Sequence, residues 1–76
     1  MPSLRQLEYF LEVADAGSLR QAAIRLGVAQ PTLTVQLRHL EEALSVTLLE
    51  RSRSATHLTP AGRELLPNAR ELLNQW

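Results

Sequence analysis

The sequence has neither cysteine nor lysine. Without cysteine there is no disulfide framework and no thiolate metal site to stabilise a small chain, so the core must hold itself or be helped by a partner. Without lysine, every basic residue apart from the two histidines is an arginine. Arginine forks onto phosphates and guanine edges, although a high-GC genome produces the same bias. No basic-then-apolar leader opens the chain, and no apolar run approaches the ~20 residues that span a bilayer, so a cytoplasmic protein without a membrane partner is expected. Charge of one sign is not in excess either. Eight basic residues balance eight acidic ones, whereas a nucleic-acid binder is expected to be basic at least locally. There is no nucleophile–base pair and no phosphate-binding loop, and 76 residues leave no volume for a deep cleft beside a core, so an enzyme is set aside. His39 and His57 have no second ligand at metal spacing, and neither a metal nor a cofactor is expected.

What is present is the composition of one small folded domain, 45% hydrophobic and 21% charged. The charges are unevenly placed. Glu8, Glu12 and Asp15 fall in the first segment, and Arg20, Arg25, Arg38, Arg51 and Arg53 in the middle.

From Leu4 to Ala14 the apolar residues make a helical stripe, which Gly17 stops; Ser18 is placed to cap the next helix. Leu19, Ala22, Ala23 and Leu26 form a second, shorter stripe closed by Gly27. After the short connection Gly27-Val28-Ala29-Gln30, Pro31 belongs in the first turn of a third helix. Two helices joined by such a turn are a helix-turn-helix. In the third helix Leu33, Leu37, Leu40 and Leu44 share one side and face the core. At about 100° per residue, Pro31, Val35 and Arg38 then point away from it, flanked by Thr32, Thr34 and His39. Such a face fits a major groove better than a hydrophobic interface. Gln36 leans toward the neighbouring helices, where a hydrogen bond to backbone is expected.

Val46-Thr47-Leu48-Leu49 reads as a strand, Ser52 to Ala55 as a turn, and Thr56 to Leu58 as a returning strand that must dock on the helices. Thr59-Pro60 opens a fourth helix, with threonine as cap and proline at the first helical position. Its Leu65, Leu66, Ala69, Leu72, Leu73 and Trp76 exceed what a small core uses from one side, which predicts pairing with a second copy; Pro67 is placed to break this helix. Two joined heads would also double the phosphate contacts of a neutral chain. The chain stops inside an apolar pattern, as a piece of a longer protein would.

Leu7 with Phe10-Leu11 and Val13-Ala14, Gly17-Ser18, Ala22-Ala23, Leu26, Gln30-Pro31, Gln36, Leu40-Glu41, Leu44, Leu48-Leu49-Glu50-Arg51 and Leu58-Thr59-Pro60-Ala61-Gly62 together resemble the amino-terminal signature of LysR-type transcriptional regulators. The resemblance covers essentially the whole chain. It implies a mainly α fold: a winged helix-turn-helix with a three-helix core and a short β-hairpin wing over residues 1–58, then a linker and dimerisation helix over 59–76. It further implies sequence-specific binding of double-stranded operator DNA, a ligand-sensing domain for a small-molecule inducer beyond this chain, and tetramers of the full-length protein. The sequence departs from the pattern at Ala29, where serine is frequent, at Val35 and Ser54, where arginine is, and at Ser45 and Leu49, which replace glycine and phenylalanine.

The expected groove contacts are Gln30, Pro31, Thr32, Thr34 and Val35, with Arg38 on a phosphate or a guanine. Arg20 and Arg51 are placed for phosphates, and Arg53 and Ser54 for the wing. Three of these arginines have a plainer alternative: Arg38 paired with Glu41 or Glu42, Arg51 with a carboxylate at the hairpin base, Arg53 solvated in a turn. The rival to DNA binding is a small helical protein-interaction module whose last helix docks on a partner.

Overall fold

Helix α1, Leu4–Ala16, starts where the sequence places Ser-x-x-Gln. Ser3 Oγ accepts from the Gln6 N–H and Gln6 Oε1 accepts from the Ser3 N–H, both at 3.1 Å, so two of the orphan donors at the helix start are satisfied. Gly17 ends it at φ 77°, a left-handed position that a side chain would strain. The computed structural model describes residues 2–52 and 55–74. After Gly17 the Ser18 hydroxyl caps α2, Leu19–Leu26, by accepting from the Gln21 N–H. Gly27, at φ 69°, closes α2, and the Val28 N–H returns to the Ala23 carbonyl.

The third helix, α3, covers Gln30–Leu44, and its N-cap Ala29 has no side-chain bond to give. Leu33, Leu37 and Leu40 are buried and Leu44 is half-buried, as the leucine spacing predicts. Around them Leu7, Tyr9, Phe10 and Val13 of α1 and Leu19, Ala22 and Ala23 of α2 complete the three-helix core. Phe10, Leu33 and Leu40 have no exposed surface at all, and each such side chain contributes roughly 1.5–3 kcal/mol of burial.

The hairpin pairs β1, Leu49–Arg51, with β2, Thr56–Leu58, antiparallel in the register Leu49↔Leu58 and Arg51↔Thr56. The second strand lies where the sequence predicts it. The first is shorter than the expected run from Val46, because Val46 to Leu48 would need residues beyond Leu58 as partners and those turn into a helix. Ser52 and Ala55 close the loop, the Ser52 N–H donating to the Ala55 carbonyl at 2.9 Å; Arg53 and Ser54 lie outside the described residues. The hairpin docks through the Thr56 N–H, which donates to the Gly17 carbonyl at 3.1 Å.

Helix α4, Pro60–Asn74, is capped by Thr59, whose Oγ1 accepts from the Gly62 N–H. Gly62 lies against Leu48: a Cβ here would collide with the Leu48 carbonyl oxygen. Pro67 does not break α4. It sits on the exposed side, where water can satisfy the Arg63 carbonyl that loses its donor, while Ala69 is fully buried on the core behind it. Among the described residues no helix is long and apolar enough to cross a membrane. The architecture is thus mainly α, a helix-turn-helix core with a β-hairpin wing and a fourth helix.

Candidate nucleic-acid interface

With Leu33, Leu37 and Leu40 turned inward, α3 exposes Gln30, Pro31, Thr32, Val35, Arg38 and His39, and leaves Thr34 half-buried. From Pro31 to Arg38 the exposed face runs about 10 Å along the helix at 1.5 Å per residue. Val35, 43% exposed, sits at its middle. An apolar side chain held in water by the geometry of its own helix is available to an apolar group such as a thymine methyl.

Beside this face lies an open cleft of about 390 Å³, lined by Arg20 of α2, Gln30 of α3, and Arg51 and Ser52 of the wing. Residues from three separate segments meet there. A smaller pocket of about 60 Å³ lies between α3 and the wing and is bordered by Thr34, Arg38, Glu41 and Arg51. One edge of α3 therefore carries Gln30, Thr34 and Arg38, with arginines across the cleft.

Two of the arginines outside the cleft are paired with carboxylates. Arg25 pairs with Glu12 at 3.5 Å, and Arg70 of α4 with Asp15 of α1 at 2.6 Å. Among the described residues Arg20, Arg38 and Arg51 form no ion pair, although Glu41 borders the smaller pocket beside Arg38 and Arg51. Neither alternative partner pairs with Arg38: Glu42 makes no ion pair among the described residues, and Glu41 bonds to the wing base. Glu41 Oε2 accepts from the Leu48 N–H at 2.7 Å and the Leu49 N–H at 3.2 Å, tying the wing base to α3.

Gln36 differs from its expectation. It bonds not to backbone but to the side chain of Gln6, whose Nε2 donates to Gln36 Oε1 at 3.1 Å, because α1 brings an amide of matching reach. His39 and His57 are exposed, and among the described residues no three His, Asp or Glu side chains converge on a metal position.

On α4 the chain's own core takes Ala69, and Leu65, Leu66 and Leu73 are partly buried against it. Leu72 is 46% exposed, and Trp76 lies outside the described residues. The apolar surface α4 leaves exposed among the described residues is therefore narrower than the apolar count suggests, with Leu72 on it and Ala69 in the core.

Two positioning residues escaped the sequence reading. Gln6 had a legible signal in the capping pattern Ser3-x-x-Gln6. Glu41 had none, since its donors are chosen by where the chain turns after α3.

A helix-turn-helix with a hairpin wing and a cationic cleft beside its third helix defines a class of fold. The chain belongs to the family described as bacterial regulatory helix-turn-helix protein, lysR family, whose model matches residues 4–63. It is 51% identical over 70 residues to the small neutral protease regulatory protein of Streptomyces coelicolor, covering 92% of this chain and 21% of that protein. It is likewise 51% identical over 69 residues to the HTH-type transcriptional regulator TcbR of Pseudomonas sp. strain P51, covering 91% of this chain and 24% of that one. The chain thus spans about a fifth to a quarter of the length of these relatives. Among solved structures, the CbnR DBD–DNA complex superposes with a TM-score of 0.93 at 48% identity, covering 96% of this chain and 84% of that one.

Proposed function

We propose that this chain is the operator-binding head of a LysR-type transcription regulator acting in the cytoplasm, without catalysis of its own. The observation that carries the reading is the placement of Arg20, Arg38 and Arg51, without ion-pair partners among the described residues, around the exposed face of α3. Gln30, Pro31, Thr32, Thr34 and Val35 enter the major groove. There Gln30 pairs with an adenine, the threonines donate or accept, and Pro31 and Val35 meet thymine methyls. Arg38 reaches a phosphate or a guanine, Arg20 and Arg51 hold the backbone, and Arg53 with Ser54 forms the wing contact. Relatives described as transcriptional regulators and a DNA-bound structural neighbour support this.

In the whole protein, α4 pairs with its counterpart through Leu72 and its half-buried neighbours with Trp76, placing two heads on two half-sites. Tetramers and an inducer-sensing domain belong to the part beyond this chain. The protein-interaction reading is not favoured, since the relatives are described as transcriptional regulators and a structural neighbour is bound to DNA. Selection of binding sites from a random duplex pool tests the proposal. Enrichment of an imperfect palindrome with a T and an A in each half is expected, with affinity falling steeply as salt rises. No enrichment and no binding at low salt would refute it.

A further inference from the structure

The amide contact between α1 and α3 has a direction that is not free. Gln6 Oε1 is turned back to accept from the Ser3 N–H at 3.1 Å, which leaves its NH2 on the side of α3, and it donates to Gln36 Oε1. Gln36 must then turn its oxygen toward Gln6 and its own NH2 away. That NH2 has no partner among the described residues, and no unpartnered side-chain polar atom is buried among them, so it stands at the surface.

At about 100° per residue, Gln36 continues the row of Thr32 along the edge of α3 that faces α1, away from the Thr34 and Arg38 edge beside the wing. A helix seated in a major groove brings its two edges toward the two sugar–phosphate strands. The wing edge has arginines for its strand. The α1 edge of α3 has none, and beside Thr32 and His39 it carries the outward amide of Gln36.

We propose that Gln36 donates this amide to a phosphate oxygen of the bound duplex, and that Gln6 is the positioning residue holding it in that polarity. The proposal rests on the DNA-binding reading above. Because an amide is neutral, the contact releases no counterion. Its loss lowers affinity without altering the dependence of binding on salt, unlike the loss of an arginine.

The test uses the 76-residue chain with three probes: the duplex it enriches from a random pool, a scrambled duplex of equal length, and the enriched duplex carrying a methylphosphonate at successive positions. Gln36→Met should weaken binding to both natural duplexes by about fivefold with the salt slope unchanged. It should also become insensitive to methylphosphonate at one position per half-site that weakens the unsubstituted chain. Gln6→Met should reproduce this loss, and the double variant should lose no more than either single one. Ser3→Ala removes the other half of the same cap but leaves the Gln6–Gln36 bond, so its affinity should match the unsubstituted chain.

Sensitivity at every methylphosphonate position in Gln36→Met, a loss confined to the enriched duplex, or additive losses at Gln6 and Gln36 would overturn the proposal. A reading on the free chain needs no variant: the Gln6 side-chain amide protons should exchange more slowly than those of Gln36, and the reverse order would also overturn it. Failure to enrich any duplex removes the DNA reading itself, whereas failure of the phosphate coupling alone removes only this inference.

Discussion

The carboxylate of Glu41 accepts the backbone N–H of Leu48 at 2.7 Å, seven residues along the chain and across the turn that leaves α3. A second bond from the Leu49 N–H makes one side chain the joint between α3 and the wing. Bonds to an ionised acceptor are worth roughly 1.5–3 kcal/mol, and their loss leaves the amides of Leu48 and Leu49 without this partner where the chain enters β1. Glu41→Ala should therefore cost about 2–3 kcal/mol in urea unfolding, and Glu41→Gln less, because an acceptor oxygen remains. Equal stability of Glu41→Ala and the unsubstituted chain would show that the wing base is held by other contacts.

Ser45 ends α3 at φ 57°, in the left-handed region, with its N–H on the Glu42 carbonyl and the Val46 N–H on the Glu41 carbonyl. Holding a side chain there costs roughly 1–2 kcal/mol, against the smaller gain in unfolded-state freedom that glycine brings. Ser45→Gly should raise stability by about 0.5–1 kcal/mol, a rise in Tm of roughly 2–8 °C for a domain of this size. A lower Tm would mean that the serine hydroxyl contributes more than the strain removes.

Gly62 tests the opposite balance. Helix propensity favours alanine by roughly 1 kcal/mol, but the added methyl meets a backbone carbonyl, that of Leu48, which has no rotamer to yield. Gly62→Ala should be destabilising by about 1–3 kcal/mol in thermal unfolding. A neutral result would show that α4 slides at little cost.

On DNA, the arginines and the polar residues of α3 should separate by their response to salt. Removing Arg38 or Arg51 should weaken specific and random duplex alike and reduce the salt slope by about 1 if each serves a phosphate. Gln30→Ala should leave random binding alone and reduce discrimination by ~1–3 kcal/mol. Titrations at several salt concentrations read both, and identical behaviour of the two kinds of variant would remove the assignment of roles.

Leu72 and Ala69, three residues apart on α4, should behave as different kinds of site. Leu72 is 46% exposed, so Leu72→Glu should abolish self-association in sedimentation while the melting of a dilute sample stays within roughly 0.5 kcal/mol of the unsubstituted chain. Ala69 has no exposed surface, and Ala69→Glu should unfold the chain by burying an unpaired carboxylate.

Local rules reached the helices because each boundary is written within a few residues of itself. Gly17 and Gly27 take left-handed positions, Ser18 and Thr59 accept from the amides of the helices they open, and Leu33, Leu37 and Leu40 fall on one side by spacing alone. The exposed face of α3, with Val35 at its centre, follows from that spacing by elimination. Other features depend on which segments meet. The start of β1 at Leu49 rather than Val46 is decided by Glu41 and by the turn into α4. Only packing shows that Ala69 belongs to the core while Leu72 faces outward, that Gln36 meets Gln6, and that Glu12 and Asp15 neutralise Arg25 and Arg70 and leave the arginines of the cleft free of carboxylate partners among the described residues. The division has one physical cause: caps and amphipathic periods act over a turn or two of chain, whereas hydrogen bonds and ion pairs between helices require an approach that no local preference specifies.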